Sequence, residues 1–240
     1  MVLSRLLISI FVFTIYLGKS LAFVDREINE SRKCSAIFSY FEKKFNIPKD
    51  LLHSISLRES AKKHSNQNLV IVWPWTVNVS GQGYYFNNKR DAVKFTKNQL
   101  ASGATNIDVG CMQVNLKYHP NAFSSLEQAF SPRSNVAYGA KFLSEKYIQH
   151  GDWISAVGNY HSADPVRGRS YRQRVGQIGD NMATYKKNLR KALYSSKKST
   201  TARNIPISSK TNIYKEKSSK QVQVRVGRIN NDNWYRKVKK

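Results

Sequence analysis

Apolar residues recur at intervals of three and four in several stretches of the chain. From Asn29 to Phe45 the stripe is Cys34, Ile37, Phe38, Phe41 and Phe45, which predicts a helix. Pro48, at a favoured first-turn position, opens a second helix that ends near Ser60 and carries Leu51, Leu52, Ile55 and Leu57. Trp75 to Val79 and Tyr84 to Phe86 flank Ser80-Gly81-Gln82-Gly83, which predicts a β-hairpin with a glycine-bearing turn. Asp91 is placed to N-cap a helix through Leu100, and the stretch from Asn106 to Asn115 reads as irregular around Gly110. Ser125 to Phe130 makes a short helix. Asn135 is placed to cap a helix through His150, striped by Val136, Ala140, Leu143 and Tyr147. Asp152 caps the next, through Tyr160. A last helix covers about Tyr171 to Leu193, with Met182, Tyr185, Leu189 and Leu193 on its stripe. The expected fold class is mainly α with one small β-hairpin.

The two ends do not fit that pattern. Residues 1–22 read as a signal peptide. Arg5 is followed by a run from Leu6 to Leu17 in which ten of twelve residues are apolar, then by Ser20-Leu21-Ala22, a small-x-small cleavage site. Twelve helical residues reach roughly 18 Å, too short for a hydrocarbon core of about 30 Å. At the other end, Ser, Thr, Lys and Asn dominate from Ser195 to Lys220. That composition cannot offset the entropy of ordering and reads as a disordered tail. The expected organisation is a signal peptide over 1–22, a folded domain over 23–194 and a basic low-complexity tail over 195–240.

Charge sharpens this division. The 240 residues carry a formal net charge of +25. Residues 186–240 hold 17 Lys and Arg against only Glu216 and Asp232. A basic tail suits a polyanionic partner, and export turns the choice from nucleic acid towards the envelope. The expected location is the periplasm or cell envelope, with no physiological nucleic-acid partner. The two cysteines, Cys34 and Cys111, then meet an oxidising compartment and form a candidate disulfide. Two buried free thiols are the alternative at this stage.

Glu59 is the candidate for chemistry. It ends an apolar helix, and a carboxyl beside apolar side chains keeps its proton more readily, as a general acid requires. A solvated helix-end Glu beside Arg58 is the competing reading. Asp108 is a second carboxyl of interest: it faces Glu59 across a site, or it caps a turn before Gly110. Tyr84, Tyr85 and Phe86 suit either stacking on sugar rings or core packing. The five histidines form no His-Glu-x-x-His pattern and two cysteines cannot build a four-cysteine site, so neither metal nor cofactor is expected.

Five segments in order carry a resemblance. They are Ile47 to Ser60, with Arg58-Glu59-Ser60 at its end; Pro74 to Phe86; Asp108-Val-Gly-Cys-Met-Gln-Val-Asn-Leu-Lys-Tyr-His119; Ser131 to Gly139; and Gly151 to Ser162. Together they resemble the lysozyme-like lytic transglycosylases of bacterial cell walls, in the soluble-lytic-transglycosylase family, over roughly residues 34–180. The resemblance implies a lysozyme-like α domain that cleaves the glycan strands of peptidoglycan. It implies Glu59 as the catalytic acid and Ser60, Met112, Gln113, Asn115 and Tyr160 as substrate-binding residues. It also implies a mechanism with one carboxyl, in which the sugar's own C6 hydroxyl closes onto C1 and leaves a 1,6-anhydro end.

The chain departs from the family at Ala61, where Gly often follows Glu-Ser, and at His161, where Asn usually follows the tyrosine. A hydrolytic muramidase and a non-catalytic wall-binding or secretion-system protein are the competing readings of function. The tail is expected to hold the protein to the anionic envelope or to a secretion-complex partner.

Overall fold

The structure is a computed structural model that describes residues 25–198 and 214–215. The proposed signal segment and most of the basic tail lie outside the described residues. Among the described residues no helix is long and apolar enough to cross a membrane.

The N-terminal apolar stripe makes two helices rather than one. Asp25 caps α1 (Arg26–Ser35) by accepting from the Glu27 and Ile28 amides at 2.9 and 3.2 Å. The helix closes at Ala36, and the β-branched Ile37, at φ −108°, is the N-cap of α2 (Phe38–Lys44). Next comes α3 (Leu51–Ser60), which starts a turn after Pro48; the Leu51 amide bonds to the Pro48 carbonyl. Glu42 accepts from the Leu52 amide at 3.0 Å and so serves the start of α3. Burial raises the pKa of this carboxyl.

Every residue of α3 from Leu51 to Leu57 is buried, so this is a central helix surrounded on all sides. Its serines are tolerated there because each hydroxyl is bonded. Ser54 donates to the Asp50 carbonyl at 2.9 Å; Ser56 and Ser60 both donate to the Cys111 carbonyl at 2.8 Å.

The β structure is larger than the expected hairpin. β1 (Ala61–Lys63) pairs with β2 (Val70–Val72). β3 (Thr76–Val79) and β4 (Gln82–Tyr85) form the expected hairpin, but the turn is only Ser80-Gly81, at φ +51° and +92°. Positive φ at both turn residues matches the right-handed twist of the strands. The stretch read as irregular holds two more strands. β5 (Ile107–Val109) pairs with β3, and β6 (Val114–Asn115) pairs with β5. A two-residue β7 (Tyr214–Lys215) lies along β4, giving the order β6-β5-β3-β4-β7.

Between the hairpin and β5 runs α4 (Lys89–Ala101). Its cap is Asn88, which accepts from the Asp91 amide at 3.0 Å, so Asp91 is a first-turn residue and not the cap. α5 (Leu126–Ala129) leads into α6 (Pro132–His150), which begins three residues before Asn135 because Pro132 takes the first turn. α7 (Trp153–His161) is capped by Asp152 as expected, through the Ser155 amide at 2.8 Å. The last expected helix divides into α8 (Pro165–Asp180) and α9 (Met182–Lys198), separated at Asn181.

Two cores result. The larger gathers α3 with α1, α2, α6, α7 and α8. The smaller lies between the five-stranded sheet and α4, and holds Trp73, Trp75, Val77, Phe86 and Ile107. Tyr84 and Phe86 meet Phe95 of α4 at 4.6 and 4.9 Å between ring centroids, and the Tyr85 hydroxyl donates to the Ala61 carbonyl. The three aromatic residues of the hairpin thus belong to this side of the fold and do not line the cleft described next. Cys34 and Cys111 are joined by a disulfide, Cα to Cα 6.1 Å, which ties α1 to the loop between β5 and β6.

Candidate active site

A cleft of about 230 Å³ opens where the end of α3, the β5–β6 loop, α6 and α7 meet. Of the residues expected at the site, Glu59, Gln113, Asn115 and Tyr160 line it, and Asp108 joins them. Ser60 and Met112 do not: both side chains are fully buried. Their part is to hold the loop, Ser60 through the Cys111 carbonyl and Met112 through its backbone.

Glu59 sits one residue from the C-terminal end of α3, where the central helix emerges from the core. Burial pushes its pKa up to about 7, and the charge of Asp108 adds to that. Tyr171 of α8 and Arg58 pull the other way. The Tyr171 hydroxyl is buried on the Glu59 side of its helix but completes no hydrogen bond of normal geometry. The result is a carboxyl that is still half protonated near neutrality.

Tyr160 is held as a neutral phenol: burial raises its pKa well above the ordinary value, and Glu59 adds to this. Its hydroxyl donates to the Met112 carbonyl at 2.9 Å. This bond is possible because Gly139 of α6 has no side chain. A Cβ there would lie 2.8 Å from the Met112 Cβ and 3.0 Å from the Tyr160 hydroxyl.

Gln113 adopts φ +45°, the left-handed region that a residue with a Cβ enters at a cost of about 1–3 kcal/mol. The surroundings hold it there. Its Nε2 donates to the Gly110 carbonyl at 3.0 Å and the Thr76 carbonyl at 3.2 Å. The amide carbonyl is the end left to meet a ligand.

Asn115 is committed differently from the expectation of a sugar contact. Its Nδ2 donates to Asn106 at 2.7 Å and to Asp108 Oδ1 at 2.8 Å, while its Oδ1 accepts the Lys117 and Tyr118 amides. All of its hydrogen-bonding capacity is spent, so it orients Asp108 rather than binding from its own amide. Asp108 is a strand residue opposite Asn115 and Asn78, not a turn cap. Burial raises its pKa, and the Asn115 bond opposes this.

Sequence reasoning missed two groups. One is an aromatic wall, comprising Tyr118, His119, Tyr138 and Phe142. Tyr138 and His119 share a hydrogen bond of 2.9 Å, and Phe142 lies 5.5 Å from the Tyr160 ring. Tyr118 is 70% exposed at the lip, a surface suited to stacking on a sugar face. Residues 118, 119 and 138 lay inside the resemblance segments without being assigned a role.

The other is Asn135, read as a cap. It is fully buried, accepts the Met112 amide at 2.8 Å and donates to the Val109 and Ala129 carbonyls at 2.9 and 3.0 Å. One side chain of α6 therefore fixes both ends of the tight segment before Gln113. Among the described residues no three His, Cys, Asp or Glu side chains gather as a metal would require.

This arrangement supplies a proton donor poised near neutral pH, amide and phenol groups on a fixed loop, and an aromatic wall. A family model described as Transglycosylase SLT domain matches residues 36–181, which include every cleft residue named above. No curated protein and no solved structure gives a significant match.

Proposed function

The chain belongs to the transglycosylase SLT domain family, whose enzymes act on peptidoglycan, and from this we propose that it is a lytic transglycosylase cleaving the MurNAc–GlcNAc β-1,4 bond. The observation that carries the reading is Glu59, a carboxyl at the cleft whose pKa is raised to about 7. Protonated Glu59 gives its proton to the glycosidic oxygen as the bond from that oxygen to C1 breaks. The leaving sugar departs with that proton on its O4. The carboxylate then takes the proton of the C6 hydroxyl of the same muramic residue, and the C6 oxygen closes onto C1. The acid is restored, no water is consumed, and the product ends in 1,6-anhydro-MurNAc. An internal hydroxyl needs no separate activation because it is already near C1. One group serves as acid and then as base, which a pKa near the working pH favours.

Gln113 and the Tyr118 lip support binding of the glycan, and Tyr160 supports the loop that carries them. A second reading, hydrolytic muramidase, is favoured by one observation: Asp108 lines the same cleft and is oriented by Asn115. A carboxylate there is placed to stabilise positive charge at C1 while water attacks. Mass spectra of digested sacculi separate the two. Anhydro ends, one water lighter than hydrolytic ends, support the transglycosylase; reducing ends alone would remove it in favour of the muramidase.

We further propose that residues 1–22 are cleaved on export, that 23–194 form the catalytic domain, and that the basic segment 195–240 retains the enzyme at the anionic envelope. N-terminal sequencing of the mature protein tests the first point, with Phe23 expected as the first residue. Salt-sensitive binding to sacculi that weakens on removing 195–240 tests the last.

A further inference from the structure

Beside one end of the cleft, at His161, stands a group of arginines. His161, the last residue of α7, lines the cleft and is exposed. Its ring lies flat on Tyr171 of α8, with centroids 4.6 Å apart and planes within 6°. The helices approach this closely because Gly158 and Gly168 face each other; a Cβ on Gly168 would lie 3.2 Å from the Gly158 carbonyl oxygen. Arg167 and Arg174 lie four residues before and three after Tyr171, on the same stripe of α8. The Arg58 guanidinium lies 5.8 Å from the centroid of the Tyr171 ring. One guanidinium thus lies against the His161–Tyr171 stack, and two more stand on the helix stripe that carries Tyr171.

Among the described residues none of Arg58, Arg167 and Arg174 has an ion pair. Arg58 Nε is buried and has no hydrogen-bond partner. Two carboxyls stand near. Glu59 keeps its proton up to about pH 7, and Asp164 is occupied in capping α8 through the Arg167 amide at 2.8 Å. Burial lowers the pKa of His161, and the positive charges of Arg58, Arg167 and Arg174 add to this.

We propose that the His161 end of the cleft is a carboxylate-binding subsite, in which Arg58, Arg167 and Arg174 take a free carboxylate of the stem peptide attached to the glycan. The subsite rests on the reading of the chain as a peptidoglycan-cleaving enzyme and adds the part of the substrate it selects. Guanidinium groups bind carboxylates through paired, charge-assisted hydrogen bonds, and His161 joins this group to the cleft that would hold the peptide-bearing sugar. Glycan with its peptides is then the preferred substrate over bare glycan.

The test compares wild type with the Arg167→Ala/Arg174→Ala double variant, both as the full mature chain. Each is assayed on intact peptidoglycan and on glycan strands stripped of peptide by an amidase. On intact peptidoglycan the variant is expected to lose about tenfold or more in kcat/KM, mostly through KM, the loss of at least one charged hydrogen bond. On stripped strands the two proteins converge to within about twofold. The single Arg167→Lys variant, at an exposed position, keeps the charge and recovers part of the loss. An equal loss on both substrates, or no loss on either, overturns the subsite while leaving the enzyme reading intact. A wild type inactive on both substrates removes that reading and the subsite with it.

Discussion

Asp108 on β5 shares the cleft with Glu59 at the end of α3, and its charge adds to the burial that holds the Glu59 carboxyl near pKa 7. The two acids are therefore coupled, and the acid that gives up its proton is the one in the more apolar surroundings. Activity that requires protonated Glu59 falls as pH rises through about 7. Asp108→Asn removes a negative neighbour, lowers the Glu59 pKa and moves that decline to lower pH. The profile of kcat/KM against pH, measured on sacculi at constant ionic strength, reports the acid of the free enzyme. An unmoved alkaline limb in the variant would uncouple the two residues.

Glu59→Gln should reduce glycan cleavage by at least about a hundredfold, the usual worth of a general acid. The same change should make the protein more stable at pH 8. The folded pKa of about 7 lies above the ordinary 4.5, so the folded state binds this proton more tightly than the unfolded state. Stability from this group is present below about pH 4.5 and is lost as pH rises to 7. Above 7 the deficit is about 3 kcal/mol. Urea melts of both proteins at pH 8 and pH 4 measure it: the gap should be near 3 kcal/mol at pH 8 and close at pH 4.

His53 gives the opposite slope. Its ring is buried between Phe38 and Tyr185, and burial lowers its pKa from 6.5 to about 4, with Lys186 contributing. Between these values the unfolded state binds more protons. Its contribution is complete above 6.5 and falls away on acidification, by roughly 2 kcal/mol at pH 5. In wild type this slope is masked by Glu59. In Glu59→Gln it is exposed, so that variant should lose stability between pH 7 and 5, where wild type changes little.

Asn135→Ala leaves the Met112 amide and the Val109 and Ala129 carbonyls without their partner in a buried place. Each orphaned group costs about 1–3 kcal/mol, so a loss of about 3 kcal/mol or more is expected in a urea melt. Asn135→Asp, which retains the acceptor for Met112 but neither donor, should be no more stable, because it also buries a charge.

Reducing the Cys34–Cys111 bond opens a loop of 77 residues. In the chain-entropy account this costs about 4.5 kcal/mol. The urea midpoint with and without reductant reads the change, and Cys34→Ser should reproduce the reduced value.

The parts legible in the sequence are those fixed by neighbours along the chain. Asp152 announces α7 because a cap bonds three residues away, and Ser80-Gly81 announces the hairpin because the turn is local. At the end of an apolar helix Glu59 reads equally as a solvated residue beside Arg58, and it is the five segments in register that single it out. Asn135 was misread because its partners lie up to 26 residues away. β5 and β6 have three and two residues, too few for an alternating pattern to show. Their polar residues, Asp108 and Asn115, pair across the strands, and alone each looked like a turn residue or a ligand. The place of Tyr171 is set by a contact across helices, since its ring stacks on His161 of α7, and no spacing along the chain shows that.

The Met112 amide, given to a buried Asn135 one residue after a disulfide-bonded Cys111, also sets how the cleft can move. A segment so held has no small opening available; exposing that amide requires α6 to leave the core. Its hydrogen exchange should be as slow as global unfolding allows, while the Lys117 and Tyr118 amides, held only by Asn115 at the exposed lip, exchange far sooner. The floor of the cleft is then as rigid as the protein's centre and only its rim breathes. A glycan strand would be admitted by movement of the lip, while the acid beneath it stays in register.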